Sequence, residues 1–414
     1  MTASPPLAPG ADAPPPVRDH RGGVDSGRAW LVVVAGMVAN AACWGTIYSF
    51  GTFLGSMTEE FGTGLGATAL IFALPTFILF GLGLITGPLA DQYGPRRVVL
   101  VGAASIGAGL LVTSRAPNLP VAVAAYGLGV GIGVGCFLVP VTACLGGWFV
   151  RRRALALGLS ASGIGFGTIL LVPVVQWMIG AVGWRQAYVV LAVVCSASLV
   201  FAATVATRPP DSVPSGRLSL SRLRRAIEGG PFPQLYVGGL LLSAAMYVPF
   251  VFLVRYAVDQ GISKGSAALL LSVLGASNIV SRLALTSLAG RVGAVRMFLA
   301  CFLLLPVAFG LWLVAGDSYP VLACFAAMLG VTHGGYVSLS PEVTAQLFGA
   351  TNLGTVLGAL WTASAFSGLV TPVLAGTLID AAGYRTAIAA GLVAAVGAVA
   401  VQARLWGPAS GRTS

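Results

Sequence analysis

Charged side chains are scarce in this chain, at 8% of 414 residues, where a soluble domain wets its surface with roughly a quarter. Acidic groups are scarcer than basic ones, 12 against 23, and the formal net charge is +11. No ATP-binding loop, no His/Cys/Asp/Glu cluster at metal-ligand spacing and no nucleophile–base pair is present. Those absences argue against an enzyme and against hydrolysis as an energy source, so no cofactor is expected. The six cysteines form no CxxC pair and all fall in apolar segments, where they read as small packing residues. Alternation with a period of two is missing from the apolar runs, which excludes a transmembrane barrel. The glycine run Gly127, Gly129, Gly131, Gly133, Gly135 follows no strand signal, so it is not a dinucleotide loop. Gly127, Gly131 and Gly135 share one face and, with Gly158, Gly163 and Gly167, are expected to form surfaces that slide or rock.

Apolar residues make up 57% of the chain. They come in runs of about 20 or longer, the length that crosses about 30 Å of hydrocarbon. Lipid offers backbone groups no hydrogen bonds, so each run is expected to be a helix. Twelve are predicted, over 30–56, 66–87, 97–115, 120–148, 154–180, 184–207, 233–258, 265–289, 294–315, 319–340, 350–379 and 384–405. The fold class is therefore all-α, a membrane protein of twelve transmembrane helices in two related six-helix halves, 28–207 and 233–405. Residues 1–27, rich in Pro, Ala, Gly and Asp, read as a disordered cytoplasmic tail, 406–414 as a cytoplasmic C-terminal tail and 208–232 as the cytoplasmic linker between halves. The first apolar stretch is too long for a signal core, and no cleavage site follows it.

Seventeen of the 23 basic residues, Arg96, Arg97, Arg151, Arg152, Arg153, Arg291 and Arg296 among them, fall on the side of the termini. Five fall on the other side, and Arg282 lies within a helix. By the bias of basic residues toward the cytoplasm, both termini are expected there. This location also accounts for the positive charge without a nucleic-acid partner. An internal repeat supports the two halves. Leu89-Ala90, Gly94 and the following Arg97 reappear as Leu288-Ala289, Gly293 and Arg296, an offset of 199. Gly183-Trp184-Arg185 reappears as Gly383-Tyr384-Arg385, an offset of 200. Duplications of this kind are the ground plan of secondary transporters, with the site at the midplane between repeats.

The segment Gly87-x-Leu89-Ala90-Asp91-x-x-Gly94-x-Arg96-Arg97 resembles the loop between helices 2 and 3 that marks the major facilitator superfamily. That resemblance implies a gating role for Asp91, Gly94, Arg96 and Arg97 and no contact with substrate. Within the superfamily, several stretches resemble the monocarboxylate carriers and their bacterial relatives. They are Tyr48-Ser49-Phe50-Gly51-Thr52-Phe53, Gly147-Trp148-Phe149-Val150-Arg151-Arg152-Arg153, Gly183-Trp184-Arg185 and the helix 8 arginine, Arg282. Animal members carry a lysine about where Thr52 stands, and an aspartate one turn before the arginine, where this chain has Asn278. Both groups are associated with proton handling, so their absence bears on coupling and not on carboxylate binding. Relatives that exchange the oxalate dianion carry a second cation in helix 11; residues 350–379 contain none, which disfavours a dianion.

Arg282 is the most informative residue. A central arginine costs at least about 2.5–3.5 kcal/mol to insert, and no Asp or Glu lies one turn away on its helix. Its planar fork suits a carboxylate bidentately. The plainer alternative is an arginine that snorkels to the interface. Asn278, four residues earlier, shares its face and can orient the guanidinium or glue helices. His333 and Tyr336, three apart, offer an imidazole and a phenol on one side of helix 10. Tyr48, Tyr126, Tyr247 and Trp361 are candidate cavity aromatics. These residues point to a carrier of small monocarboxylates, lactate- or pyruvate-like, working by alternating access as a monomer in a bacterial cytoplasmic membrane. A proton is the expected coupling ion, with His333 as the titrating group. Anion exchange or uniport, export of larger amphipathic compounds, and carboxylate sensing without transport remain as alternatives.

Overall fold

The computed structural model describes residues 27–149, 152–206, 231–349 and 353–403. Among them regular structure is entirely helical. The chain runs α1 Gly27–Tyr48, α2 Phe50–Phe61, α3 Leu65–Thr68, α4 Leu70–Tyr93, α5 Pro95–Ser114, α6 Leu119–Trp148 and α7 Arg153–Val205. It continues with α8 Phe232–Asp259, α9 Lys264–Val292, α10 Ala294–Ala315, α11 Tyr319–Phe348, α12 Leu353–Ala382 and α13 Tyr384–Ala403. The linker expected over 208–232 lies, but for its last two residues, outside the described residues, as do the two tails except Gly27.

Twelve spans follow from these helices. The pairs α1–α2 and α3–α4 each act as one span. The apolar stretch of α7, 51 residues long, would reach roughly 75 Å if straight. It folds back instead at Gly183, whose φ of 85° and ψ of 160° interrupt the helix. Helix ends overrun the expected limits on the terminal side, to Tyr93, Val292 and Phe348. Hydropathy marks the hydrocarbon, whereas backbone hydrogen bonds continue into the headgroup layer.

The duplication is visible in the backbone. Gly94 adopts φ 89°, ψ 143°, and Gly293 adopts φ 100°, ψ 132°. Each ends one helix by donating its N–H to the carbonyl four residues back and starts the next. Such angles are disfavoured for any residue with a Cβ. Gly183 and Gly383 likewise share positive φ at 85° and 79°. Pro173 in α7 and Pro372 in α12 occupy the same offset inside equivalent helices.

The small residues of α6 serve packing within the first half. Gly127, Gly131 and Gly135 receive Leu74, Ile78 and Leu82 of α4, while Gly129 lies against Gly109 of α5. Gly163 and Gly167 of α7 lie against the carbonyls of Met37 and Ala41 in α1, and Gly158 faces open space. The expected sliding surface is therefore not made by these residues. Contacts between halves fall on other positions: Gly165 of α7 against Ile279 and Gly275 of α9, Gly368 of α12 against Thr76 of α4, and Gly66 of α3 against Gly376 of α12.

Candidate functional site

A cavity of about 120 Å³ lies between the halves. From the first half come Trp44, Ile47 and Tyr48 of α1, Phe72, Thr76 and Phe80 of α4, Leu138 of α6 and Ile164 of α7. The second half contributes Ser243, Met246, Tyr247 and Phe250 of α8, Arg282 of α9, His333, Tyr336 and Val337 of α11, and Trp361 and Ser364 of α12. Helical periodicity explains why these residues meet. Phe72, Thr76 and Phe80 recur every four residues along one face of α4, and Ser243, Tyr247 and Phe250, spaced by four and three, share a face of α8. Tyr48 and Tyr247 stand 199 apart and face the cavity from opposite halves, a third trace of the duplication.

Arg282 stands ten residues from the end of α9, roughly 15 Å inside. At 8% exposure it does not snorkel. Its Nε donates to Asn278 Oδ1 at 2.8 Å, the i, i+4 pairing expected from the sequence. With its oxygen so occupied, Asn278 presents Nδ2 to His333 Nδ1, also at 2.8 Å. An amide nitrogen only donates, so His333 Nδ1 accepts and the imidazole here is neutral. The three side chains form a rigid relay from guanidinium to imidazole.

Around this relay the wall is aromatic. Tyr48 stacks on Phe250 with ring centres 4.4 Å apart, and Phe250 meets His333 edge-on at 5.3 Å. Trp44 touches Tyr48 at 5.4 Å and Phe80 at 6.3 Å, and Phe80 meets Trp361 across the halves at 6.4 Å. The aliphatic hydroxyls are committed. Thr76 donates to the Phe72 carbonyl at 2.8 Å, and Ser243 and Ser364 bond each other at 2.9 Å. The indole N–H of Trp44 meets no acceptor among the described residues. No Asp or Glu among the described residues lines the cavity.

Of the residues singled out in the sequence, Arg282, His333, Tyr336, Tyr48, Tyr247 and Trp361 line this space, and Asn278 lies directly behind it. Tyr126 does not. It is buried inside the first half against Phe50 and Tyr188, and its hydroxyl donates to the Thr46 carbonyl at 3.3 Å. Sequence reasoning passed over Trp44, Phe72, Phe80, Met246 and Phe250, although Trp44 lies one turn before Tyr48 on the same face. The four residues expected to gate, Asp91, Gly94, Arg96 and Arg97, sit apart from the cavity, at the junction of α4 and α5. Arg96 and Arg97 are exposed there and Asp91 is half-buried.

At the end of the molecule away from the termini, the halves are fastened. Asp380 near the end of α12 accepts the backbone N–H groups of Leu65 and Gly66 at 3.1 Å each. Arg255 of α8 reaches Glu59 of α2 at 3.2 Å and Asp259 on its own helix at 3.0 Å. Each half is also braced by its repeat motif. Trp184 and Arg185 both bind Glu60 at the end of α2, while Tyr384 donates to Asp259 at the end of α8 at 2.6 Å. Arg185 further donates to the carbonyls of Ser114 and Ala116 at 3.0 Å, tying down the end of α5.

The sequence model of the Major Facilitator Superfamily matches residues 33–372 and again 235–413. The chain is 28% identical over 364 residues to an MFS-type transporter, pynF, of Aspergillus niger, covering 86% of this chain and 82% of that protein. It is 30% identical over 391 residues to monocarboxylate transporter 3 of Rattus norvegicus, covering 88% and 76%. Among solved structures, a bacterial homologue of the human lysosomal transporter Spinster, in an inward-facing unoccupied conformation, superposes with a TM-score of 0.69. That match spans 91% of this chain and 96% of the other at 14% identity, a likeness of fold.

Proposed function

The chain belongs to the Major Facilitator Superfamily, and from that premise we propose that it carries small monocarboxylates, of the lactate and pyruvate kind, by alternating access. The observation that carries this reading is the buried guanidinium of Arg282 in the wall of a cavity between the halves, oriented at its Nε by Asn278. Asn278 holds its Nε edge, which leaves the planar fork directed by the helix and not by solvent. In a water-poor cavity a charge-assisted contact of that kind is worth about 1.5–3 kcal/mol. The likeness to monocarboxylate transporter 3 over most of both chains points the same way.

The coupling ion in this reading is the proton and its carrier is His333. The imidazole is neutral while Asn278 donates to it, so a proton enters only when that hydrogen bond is released. Cargo that draws Arg282 away from Asn278 frees the amide to turn, which links protonation to loading. By the bias of basic residues, the termini face the cytoplasm, in a bacterial plasma membrane, and the carrier works as a monomer.

The test is counterflow of labelled lactate and pyruvate in proteoliposomes. Arg282→Ala is expected to lower exchange at least about tenfold, from loss of the charged contact. Exchange at the wild-type rate removes the carboxylate assignment. An imposed pH gradient is expected to drive wild-type uptake, and uptake indifferent to it removes the proton.

A further inference from the structure

Within that reading, the lining of the cavity selects among acids. The guanidinium lies at one end of a continuous run of contacts. It passes through Asn278 and His333 to Phe250, Tyr48, Trp44, Phe80 and Trp361, crossing to the first half at Phe250–Tyr48 and back at Phe80–Trp361. Phe72 and Tyr247 close a second edge at 5.9 Å, again across the halves. One charged pole and a long aromatic wall describe a ligand of the same build.

We propose that the preferred cargo is an aryl monocarboxylate of about the size of benzoate or phenylacetate, its carboxylate on Arg282 and its ring among Trp44, Phe80 and Trp361. This rests on the reading of Arg282 as the carboxylate site. The lining is one argument: Trp44, Tyr48, Phe80, Tyr247, Phe250 and Trp361 all line the space. Polarity is the second. A hydroxyl or keto oxygen loses water on entry and needs a partner, and apart from the tyrosine phenols the lining hydroxyls, on Thr76, Ser243 and Ser364, are engaged with their neighbours. A ring carries no such cost and gains edge-to-face contacts with the wall. The third argument is position. Phe80 and Trp361 belong to different halves, so a ring packed against both contacts both moving bodies, and its grip changes as the halves rock.

Wild-type protein in proteoliposomes, with counterflow of labelled phenylacetate and labelled lactate, tests this, alongside thermal stabilisation in detergent by phenylacetate, lactate and tetraphenylphosphonium. Phenylacetate is expected to half-saturate exchange at a concentration at least about tenfold below lactate's. Trp361→Leu and Phe80→Leu are expected to shrink that preference about fivefold or more, and Arg282→Ala to lose both acids. Lactate carried in an Arg282-dependent way, at an equal or lower half-saturation, overturns the aryl assignment and leaves the carboxylate carrier standing. Phenylacetate that stabilises the protein without being exchanged also overturns it. Acids indifferent to Arg282, or stabilisation by the hydrophobic cation alone, remove both readings. Melting temperatures of the ligand-free variants, with Arg282→Lys as the charge-retaining comparison, separate loss of the site from loss of the fold.

Discussion

Asn278 holds the orientation of two functional groups at once, accepting from Arg282 and donating to His333. A carboxylate in its place would pair with the guanidinium and compete with any anion in the cavity. Asn278→Asp is therefore expected to raise the half-saturation for carboxylate exchange about tenfold, read from counterflow kinetics. Asn278→Ala removes the orienting contact but adds no competitor, so its effect should be smaller, about threefold. Half of this relay is legible in the sequence, because residues four apart share a helix face. The other half is not, since His333 comes from a helix 55 positions further on and only packing of α9 against α11 brings it near. Tyr126 shows the converse. Its helix, α6, is apolar or small all round, so no periodic stripe tells the cavity face from the packing face.

Among the elements, the paired glycines do work that other residues cannot. Gly94 and Gly293 turn the chain from one span into the next at φ values of 89° and 100°. A Cβ meets no neighbour at either place, so a substitution there tests backbone strain alone. Gly94→Ala and Gly293→Ala are each expected to cost about 1–3 kcal/mol. The double variant should lose about the sum, since the sites lie in separate halves. Denaturation of the purified protein measures both. The amino-acid pattern alone reveals this motif, because a sharp turn between two spans tolerates few residues besides glycine. The bend at Gly183 is legible for the same reason, from its repeat at Gly383.

The whole molecule is closed at one end by few groups. Asp380 fastens α12 to the start of α3, and Arg255 with Glu59 fastens α8 to α2. Beneath them, Thr52 lines a second cavity at that end, only 7% exposed. Asp380→Ala removes two charge-assisted hydrogen bonds between the halves, which should shift the equilibrium toward an open far end by about tenfold or more. The check is labelling of Thr52→Cys by a membrane-impermeant maleimide from the far side. It is expected to quicken several-fold on adding Asp380→Ala, and an unchanged rate rules out Asp380 as a fastening.

Membrane insertion, the number of spans and the duplication were all determined by the sequence alone. Each is enforced locally: lipid demands about 20 apolar residues per crossing whatever lies beside it, and a repeat is visible wherever it is kept. Charge placement followed similarly, because loops and spans differ in their solvent. Only the tertiary structure decided which side chains share the central space. In an almost wholly apolar helix, rotation about its axis is set by the fit of neighbours such as Leu74 into Gly127, and not by contrast with water. The aromatic wall opposite Arg282 and the fastening at Asp380 both arise from the docking of one half on the other, across sequence distances that no local pattern records.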